Sequence, residues 1–460
     1  MSTAEMQGVA GITADSRAVE PGYLFAALPG QKVDGRCFIA EAVARGAVTI
    51  LAPEGTQWPP GVPLRRLITA PEPRTKLAEL AVEFFGRLPE RLVAVTGTNG
   101  KTSTVDFLRQ IFALSGRRSA SIGTLGVVAP GREPSGSLTT PDPVTLAKVL
   151  AGLADESVSD VAMEASSHGL DQHRLDGLRF AAAGFTNLTR DHLDYHGSME
   201  CYGAAKLHLF RALLKQGGEA RAMADLDPRW LGALREAAMV NGQRFETVAV
   251  EALWPRPEGQ VVRVNGRTAE LHLPGRFQAD NAALAASLAE AVGVADAFSL
   301  LPRLKGVRGR LERILALRNG AAVYVDYAHT PDAIARVLSA LRPHATGRLH
   351  IVFGAGGDRD PGKRSLMGSE AAKAADVVIV TDDNPRREDP ALIRQAIIAA
   401  APGAIEIADR RAAIAAALEG LSAGDVLVVA GKGHEQGQIV GDEVIPFDDA
   451  TVIRELGEAA

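Results

Sequence analysis

The chain has 460 residues, too many for one ordinary hydrophobic core and, at roughly 150 residues per domain, enough for about three domains. Apolar residues make up 46% and charged residues 23%, a globular balance that excludes a disordered chain. Fifty Lys and Arg against 55 Asp and Glu give a net charge of -5, so no broad basic surface points to nucleic acid and any bound anion must be held locally.

In the first 70 or so residues, the strand-like runs YLFAAL (23–28) and AVTILA (47–52) flank a helical stretch, and Pro-rich text follows. A boundary is expected near residue 70. A helix-like segment, TKLAELAVEFFGRL, leads to LVAV (92–95), a buried strand running into TGTNGKT and then the amphipathic VDFLRQIFALSG. Strand, glycine loop and helix come in the order a phosphate site needs. Gly97 and Gly100 let backbone N–H groups approach phosphate oxygens, Lys101 can reach the terminal phosphates, and the Thr102 hydroxyl can serve Mg²⁺. Val95 stands where a full P-loop has its first glycine, so this is a shortened variant, with a structural glycine turn as the alternative.

Glu164 closes the strand-like VSDVAME (158–164), where a carboxylate at a sheet's carboxyl edge can hold a cation beside the loop. The ASSHGLDQHRL that follows carries Gln172 and Arg174, groups suited to a polar anion. His192 and Asp194 lie in an ionisable loop, FTNLTRDHLDYHG (185–197), without zinc spacing. A helix capped by Ser198 puts Tyr202, Lys206, Leu209, Phe210 and Leu213 on one stripe. A lysine there either snorkels outward or is kept because something neutralises or modifies it.

Asn265-Gly266, inside VVRVNGRTAELHL, predicts a tight hairpin turn. From about 309, the strands AAVYVD, LHIVFG, DVVIVT and DVLVVAG alternate with alanine-rich helices, which predicts βαβ units and a Rossmann-like parallel sheet. The expected fold is therefore α/β in three parts: a small N-terminal α/β domain (1–70), a central P-loop-like ATPase domain with a mainly parallel sheet (71–308), and a C-terminal Rossmann-like domain (309–460). Cys37 and Cys201 form no CxxC pair, and the apolar runs are too short to span a bilayer, so a cytoplasmic protein without membrane insertion is expected.

TGTNGKT, MEASSHGLDQHR, FTNLTRDHLDYHG, the AAK of 204–206, VDYAHTPD, GAGGDRDPGKR, DDNPR and GKGHE occur in the order seen in Mur ligases. The chain resembles that family over all three parts. The family consists of ATP-dependent amide-forming ligases of peptidoglycan precursor synthesis, and the resemblance is to its members that add the third peptide residue. It implies an ATP site made by Gly97, Thr98, Asn99, Gly100, Lys101, Thr102 and Ser103, with Asn281 and Arg310 as adenine and phosphate contacts and Asp326 as the ribose contact. Two Mg²⁺ are implied, one on Thr102 and Glu164, the other on His192 and on Lys206 as its N-carbamate. Catalysis would rest on Lys101, Lys206, His192 and Glu164.

For the UDP-muramoyl-dipeptide, the resemblance points to Ser16, Thr139, Thr140, Ser166, Gln172 and Arg174, although GQKVDG (30–35) departs from the His-Gln-Ala of some members. For the incoming amino acid it points to Arg359, Asp383, Asn384, Pro385, Arg386, Gly431 and Glu435. DNPR is the family signature for meso-diaminopimelate, whose second carboxylate Arg386 can grip bidentately. The implied partners are these small substrates, acting on a monomer. Two rivals are a folylpolyglutamate synthase, which shares the loop, and a nucleotide-binding switch that ligates nothing; dependence on a UDP substrate separates them.

Overall fold

The computed structural model describes residues 4–30, 33–132, 139–256 and 259–458, so Gln31 and Lys32 of the GQKVDG stretch lie outside the described residues. The chain forms two compact units, Met1–Val248 with Leu284–Ala297, and Ala249–Ala283 with Phe298–Ala460.

The first unit opens with a parallel sheet of β1 (Gly11–Thr13), β2 (Tyr23–Ala26), β3 (Thr49–Pro53) and β4 (Arg66–Ala70), with α1 (Ile39–Ala44) between β2 and β3. Helix α2 (Pro73–Phe85) places Leu77 and Leu80 against Leu24, Leu51 and Ile68, which buries one face of this sheet. The unit then builds β5 (Arg91–Thr96), α3 (Lys101–Leu114), β6 (Ser119–Gly123), β7 (Gly126–Val128), α4 (Pro143–Asp155), β8 (Asp160–Glu164), α5 (Ser167–Asp171) and β9 (Phe180–Phe185). After these come α6 (Leu193–His196), α7 (Met199–His208), β10 (Leu214–Met223), α8 (Pro228–Val240) and β11 (Arg244–Val248).

These seven strands form one sheet in the order β11-β10-β9-β5-β8-β6-β7, parallel except for the β6–β7 edge pair. Central β5 is apolar on both faces because both are covered, as a parallel sheet requires. The chain passes from β5 to β6 on one side of the sheet and from the adjacent β9 to β10 on the other, so the loop after β5 sits at a topological switch point. Ser198 caps α7, its side chain accepting from the Cys201 N–H, as the sequence predicts, and a π-helical turn at Leu209–Leu213 continues the helix.

The second unit begins with the antiparallel β12 (Val250–Arg256), β13 (Gly259–Val264) and β14 (Arg267–Leu271). Asn265 and Gly266, both at positive φ, make the expected turn between β13 and β14. Helix α9 (Arg276–Ala291) follows, belonging to this unit up to Ala283 and to the first from Leu284, then β15 (Glu312–Ala316), β16 (Ala322–Asp326), α10 (Pro331–Leu341), β17 (Leu349–Phe353), α11 (Gly362–Ala374), β18 (Val377–Val380), α12 (Pro390–Ile398), β19 (Ile405–Glu406), α13 (Arg410–Glu419) and β20 (Val426–Ala430). The sheet runs β15-β16-β20-β17-β18-β19, with only β15 antiparallel. The hairpin of β21 (Gly437–Val440) and β22 (Glu443–Pro446) and helix α14 (Asp449–Glu458) complete it. Arg410 and Asp449 form a fully buried ion pair at 2.8 Å, and Arg410 also donates to the Ala430 carbonyl.

Candidate active site

The turn from β5 into α3 requires glycine twice. Gly97 has φ 143°, and a Cβ there would lie 1.9 Å from Thr186 Oγ1; Gly100 has φ 84° and caps α3. The segment after β9 clamps this loop. Thr98 N donates to the Asn187 carbonyl (2.8 Å), Asn99 N to Asn187 Oδ1 (3.0 Å), and Thr186 Oγ1 to the Asn99 carbonyl (2.6 Å). Thr189 N donates to Thr98 Oγ1 at 2.9 Å. Thr102 and Ser103 are buried in the first turn of α3.

Two lysines meet at the head of the loop. Lys101 Nζ donates to the carbonyls of Gly97 (3.0 Å) and Thr98 (2.8 Å), and Lys206 Nζ donates to the same Gly97 carbonyl at 2.7 Å. Lys206 does not snorkel. It is 1% exposed, with its Nζ 4.5 Å from the centre of the Tyr202 ring. Burial, and then the neighbouring Lys101 ammonium, hold its pKa well below the ordinary lysine range, while Asp191 opposes the shift.

Glu164 ends β8 in a buried position, accepting from Thr124 N at 2.7 Å and Thr124 Oγ1 at 3.3 Å. Thr124 Oγ1 lies 3.1 Å from Thr139 Oγ1. Thr140 Oγ1 lies 3.0 Å from both the Glu164 carbonyl and Ser166 Oγ, and Ser166 caps α5. Arg174 reaches the Thr140 carbonyl at 2.6 Å and Gln172 Oε1 at 2.7 Å, and Gln172 in turn donates to Tyr195 Oη at 3.2 Å. Glu164, Thr139, Thr140, Ser166, Gln172 and Arg174 thus form one bonded network. Ser16 stands apart from it, its hydroxyl donating to Glu41 Oε2 at 3.1 Å.

His192 sits at φ 52°, half-exposed, with Asp191 at 3.3 Å. Its ring centre is 4.9 Å from His168 and 6.3 Å from Tyr202, and His196 packs on Tyr202 at 5.2 Å. This imidazole and phenol cluster around the lysine went unrecognised in the sequence. Burial keeps His168 and His196 below the ordinary histidine pKa, and His196 Nε2 has no hydrogen-bond partner among the described residues.

The second unit gathers two further groups. In the first, each Asp326 oxygen accepts one backbone N–H, from Leu311 (2.7 Å) and Ala328 (2.8 Å), and burial raises its pKa. Arg310 stacks on the Tyr327 ring at 4.7 Å, and Tyr327 lies 5.2 Å from His434. Asn281 is buried in α9, one turn beyond Gln278, which donates to the Arg310 carbonyl at 2.9 Å.

The second group forms where β18 opens into DDNPR. Asn384 donates to Glu435 Oε2 (2.9 Å) and accepts from Lys432 Nζ (3.0 Å), and Lys432 is 3.6 Å from Asp383 and 3.7 Å from Glu435. Lys432 is fully buried and central to this group, yet the sequence reading of GKGHE passed over it. Gly431, at φ 113°, leaves room for Asp383, whose Oδ2 would be 2.4 Å from a Cβ. Pro385 is buried, and Arg386 donates from Nη1 to the Gly357 carbonyl at 2.8 Å; Arg359 is exposed. The arrangement offers acids, an amide and a guanidinium at a sheet's carboxyl edge, a set suited to a zwitterion with an extra carboxylate.

Three family descriptions match the chain: Mur ligase family, catalytic domain, over residues 8–82; Mur ligase middle domain over 95–289; and Mur ligase, glutamate ligase domain over 309–433. The chain is 52% identical to the UDP-N-acetylmuramoyl-L-alanyl-D-glutamate–2,6-diaminopimelate ligase of Rhizobium meliloti (strain 1021), covering 97% of this chain and 93% of the relative. It is 54% identical to the protein of the same name from Caulobacter vibrioides, covering 96% and 94%. A solved structure of a ligase with that name superposes with a TM-score of 0.75 at 33% identity, covering 98% of this chain and 95% of the other. With three of the family's domains in order and full-length relatives above half identity, the chain belongs to the Mur ligase family.

Proposed function

We propose that this chain joins meso-diaminopimelate to UDP-N-acetylmuramoyl-L-alanyl-D-glutamate at the expense of ATP, forming the UDP-muramoyl-tripeptide used for peptidoglycan and hence for cell shape and division. The names of the full-length relatives support the substrates. The observation that carries the chemistry is the buried Lys206 amine sharing the Gly97 carbonyl with Lys101 at the head of the phosphate loop.

The reaction is read in two steps. The D-glutamyl carboxylate attacks the γ-phosphorus of ATP, the bond from that phosphorus to the bridging oxygen breaks, and ADP leaves as the acyl phosphate forms. The diaminopimelate amine, having lost its proton, attacks the acyl carbonyl, and the tetrahedral intermediate expels phosphate. Backbone N–H groups of the 97–103 loop and Lys101 hold the phosphates, and catalysis rests on positioning and fixed charge rather than on a protein nucleophile. Asn281, Arg310 and Asp326 are assigned to the nucleotide. Thr139, Thr140, Ser166, Gln172 and Arg174, with Ser16, are assigned to the muramoyl-dipeptide, and Arg359, Asp383, Asn384, Pro385, Arg386, Gly431 and Glu435 to diaminopimelate.

The donors near the loop suit a hard cation: the Thr102 hydroxyl, the buried Glu164 carboxylate and, once a depressed-pKa amine takes up CO₂, a Lys206 carbamate with His192 beside it. Thr102 and Glu164 are proposed to hold one Mg²⁺, and His192 and carbamylated Lys206 a second. Mg²⁺, when bound, neutralises charge on the phosphate oxygens. The parts responsible are proposed as 1–70 for the UDP end, 71–308 for ATP and 309–460 for the amino acid, in a monomer working in the cytoplasm without nucleic acid. Among the described residues, no helix is long and apolar enough to cross a membrane.

The test is phosphate release from ATP and Mg²⁺ with UDP-N-acetylmuramoyl-L-alanyl-D-glutamate, offering meso-diaminopimelate or L-lysine and weighing the product. Turnover is expected with diaminopimelate alone. In Arg386→Ala, kcat/KM should fall about 10- to 150-fold, the worth of one charged hydrogen bond. Turnover with neither amine refutes the reading, and equal use of lysine refutes the role of Arg386.

A further inference from the structure

Away from the phosphate loop, three side chains converge in a way that the ligase reaction does not use. His173 Nδ1 lies 2.8 Å from Asp176 Oδ2, and His208 Nε2 lies 3.0 and 3.1 Å from the two Asp176 oxygens. One ligand atom from each residue lies within 4.8 Å of the others. We propose that His173, Asp176 and His208 form a binding site for a borderline divalent transition-metal ion of the zinc class, separate from the Mg²⁺ positions at the phosphate loop.

The donor set is two imidazole nitrogens and one carboxylate, which suits Zn²⁺ with a water as fourth ligand and does not suit Mg²⁺. A tetrahedral ion with bonds of about 2.0–2.1 Å holds its ligand atoms roughly 3.3 Å apart, so the two histidine–aspartate separations need to open by only a few tenths of an ångström. The same bond lengths put two imidazole ring centres roughly 5 Å apart. Those of His173 and His208 are 5.4 Å apart, with the rings nearly perpendicular at 86°. Asp176 is buried and is oriented by Thr75 Oγ1 at 3.1 Å, the outer hydrogen bond that a ligating carboxylate commonly carries. Glu72 and Asp171 add negative potential at His173, which favours a cation.

Backbone geometry fixes the three ligands independently. His173 is held at φ 56° just after α5, Asp176 lies in the turn before β9, and His208 is the last residue of α7. Residues two apart on a helix point about 200° from each other, so His208 projects away from Lys206 and the loop. An ion here would pin the end of α7 to the α5–β9 turn, and through Thr75 to α2. For the ion to bind, the ring nitrogens now facing Asp176 must be free of hydrogen, the proton moving to the other ring nitrogen or to solvent.

The test uses the full chain, stripped of metal and held in excess Mg²⁺, titrated with Co²⁺ and then with Zn²⁺ as competitor. The wild type should take up one Co²⁺ that shows the visible absorption of a tetrahedral site and is displaced by Zn²⁺. In His208→Asn and, separately, His173→Asn, that affinity should fall at least about 10-fold, with circular dichroism unchanged in at least one of the two. In His192→Asn it should persist. Equal uptake by wild type and both folded variants, or loss in His192→Asn alone, overturns the proposal.

Discussion

Replacing Gly97 by alanine should damage both the stability of the first unit and its use of ATP. Two costs can be read from the structure. The residue stands at φ 143°, where a side chain brings strain of about 1–3 kcal/mol. Its Cβ would also meet Thr186 Oγ1 at 1.9 Å and Asn187 O at 3.0 Å, so Thr186 must swing away and give up its bond to the Asn99 carbonyl, about 1 kcal/mol net. The sum, about 2–4 kcal/mol, corresponds to a Tm lower by roughly 5–15 °C for a unit of this size. Displacing the loop by even 1 Å should cost about 100-fold in kcat/KM for ATP. Gly116→Ala is the control: φ is 86° there, but nothing lies within 4 Å of its Cβ, so it carries strain without the clash. Differential scanning calorimetry and steady-state phosphate release on both variants provide the measurement. If Gly97→Ala matches Gly116→Ala in Tm and in kcat/KM, the clamp is not what shapes the loop.

Lys206→Met should leave the Tm unlowered while ligase turnover falls by about 100-fold or more. The lost group is a buried polar amine among apolar and aromatic neighbours, and Lys101 still donates to the Gly97 carbonyl; a fall in Tm together with activity would contradict this. Arg410→Met strands the buried Asp449 carboxylate and should destabilise the second unit by about 3–5 kcal/mol in urea unfolding, whereas a change under 1 kcal/mol would show that the pair contributes little. Burial, and then Arg310 and Arg308, push the His434 pKa from 6.5 down to about 4, so the folded state binds fewer protons than the unfolded one across that window. Stability supplied by the neutral ring is therefore full above pH 6.5 and lost as pH falls toward 4. His434→Asn should flatten the stability curve between those values, and an unchanged slope would remove His434 as its source.

The features most legible in the sequence are those set by short-range chemistry. The two glycines within TGTNGKT, the Asn265-Gly266 turn and the Ser198 cap each depend on a few adjacent residues, and each falls where expected. The apolar stripe around Lys206 shows which face turns inward but leaves open whether the lysine snorkels out or stays, and only the structure decides for burial. Long-range pairing was less visible. Nothing local tells β7 or β15 to pair antiparallel at the edge of a parallel sheet, or joins Gln172, Arg174 and Thr140 into one network across more than 30 residues. Lys432 was overlooked for a related reason. Its strand neighbours are apolar and Glu435 lies in the same GKGHE, but Asp383 comes from the DDNPR loop, and only folding brings it within 4 Å.

The clamp on the phosphate loop also dictates an order of events in refolding. Asn99 and Asn187 are 88 positions apart, so their bonds form only after the chain between them has closed and β9 has paired with β5. Closing a long connection is entropically uphill until the strands reward it, which makes such contacts late. The loop therefore takes shape after the helices around it, and during renaturation the recovery of nucleotide affinity should trail the recovery of helical signal. ATP binding thereby becomes a readout of completed topology in the first unit.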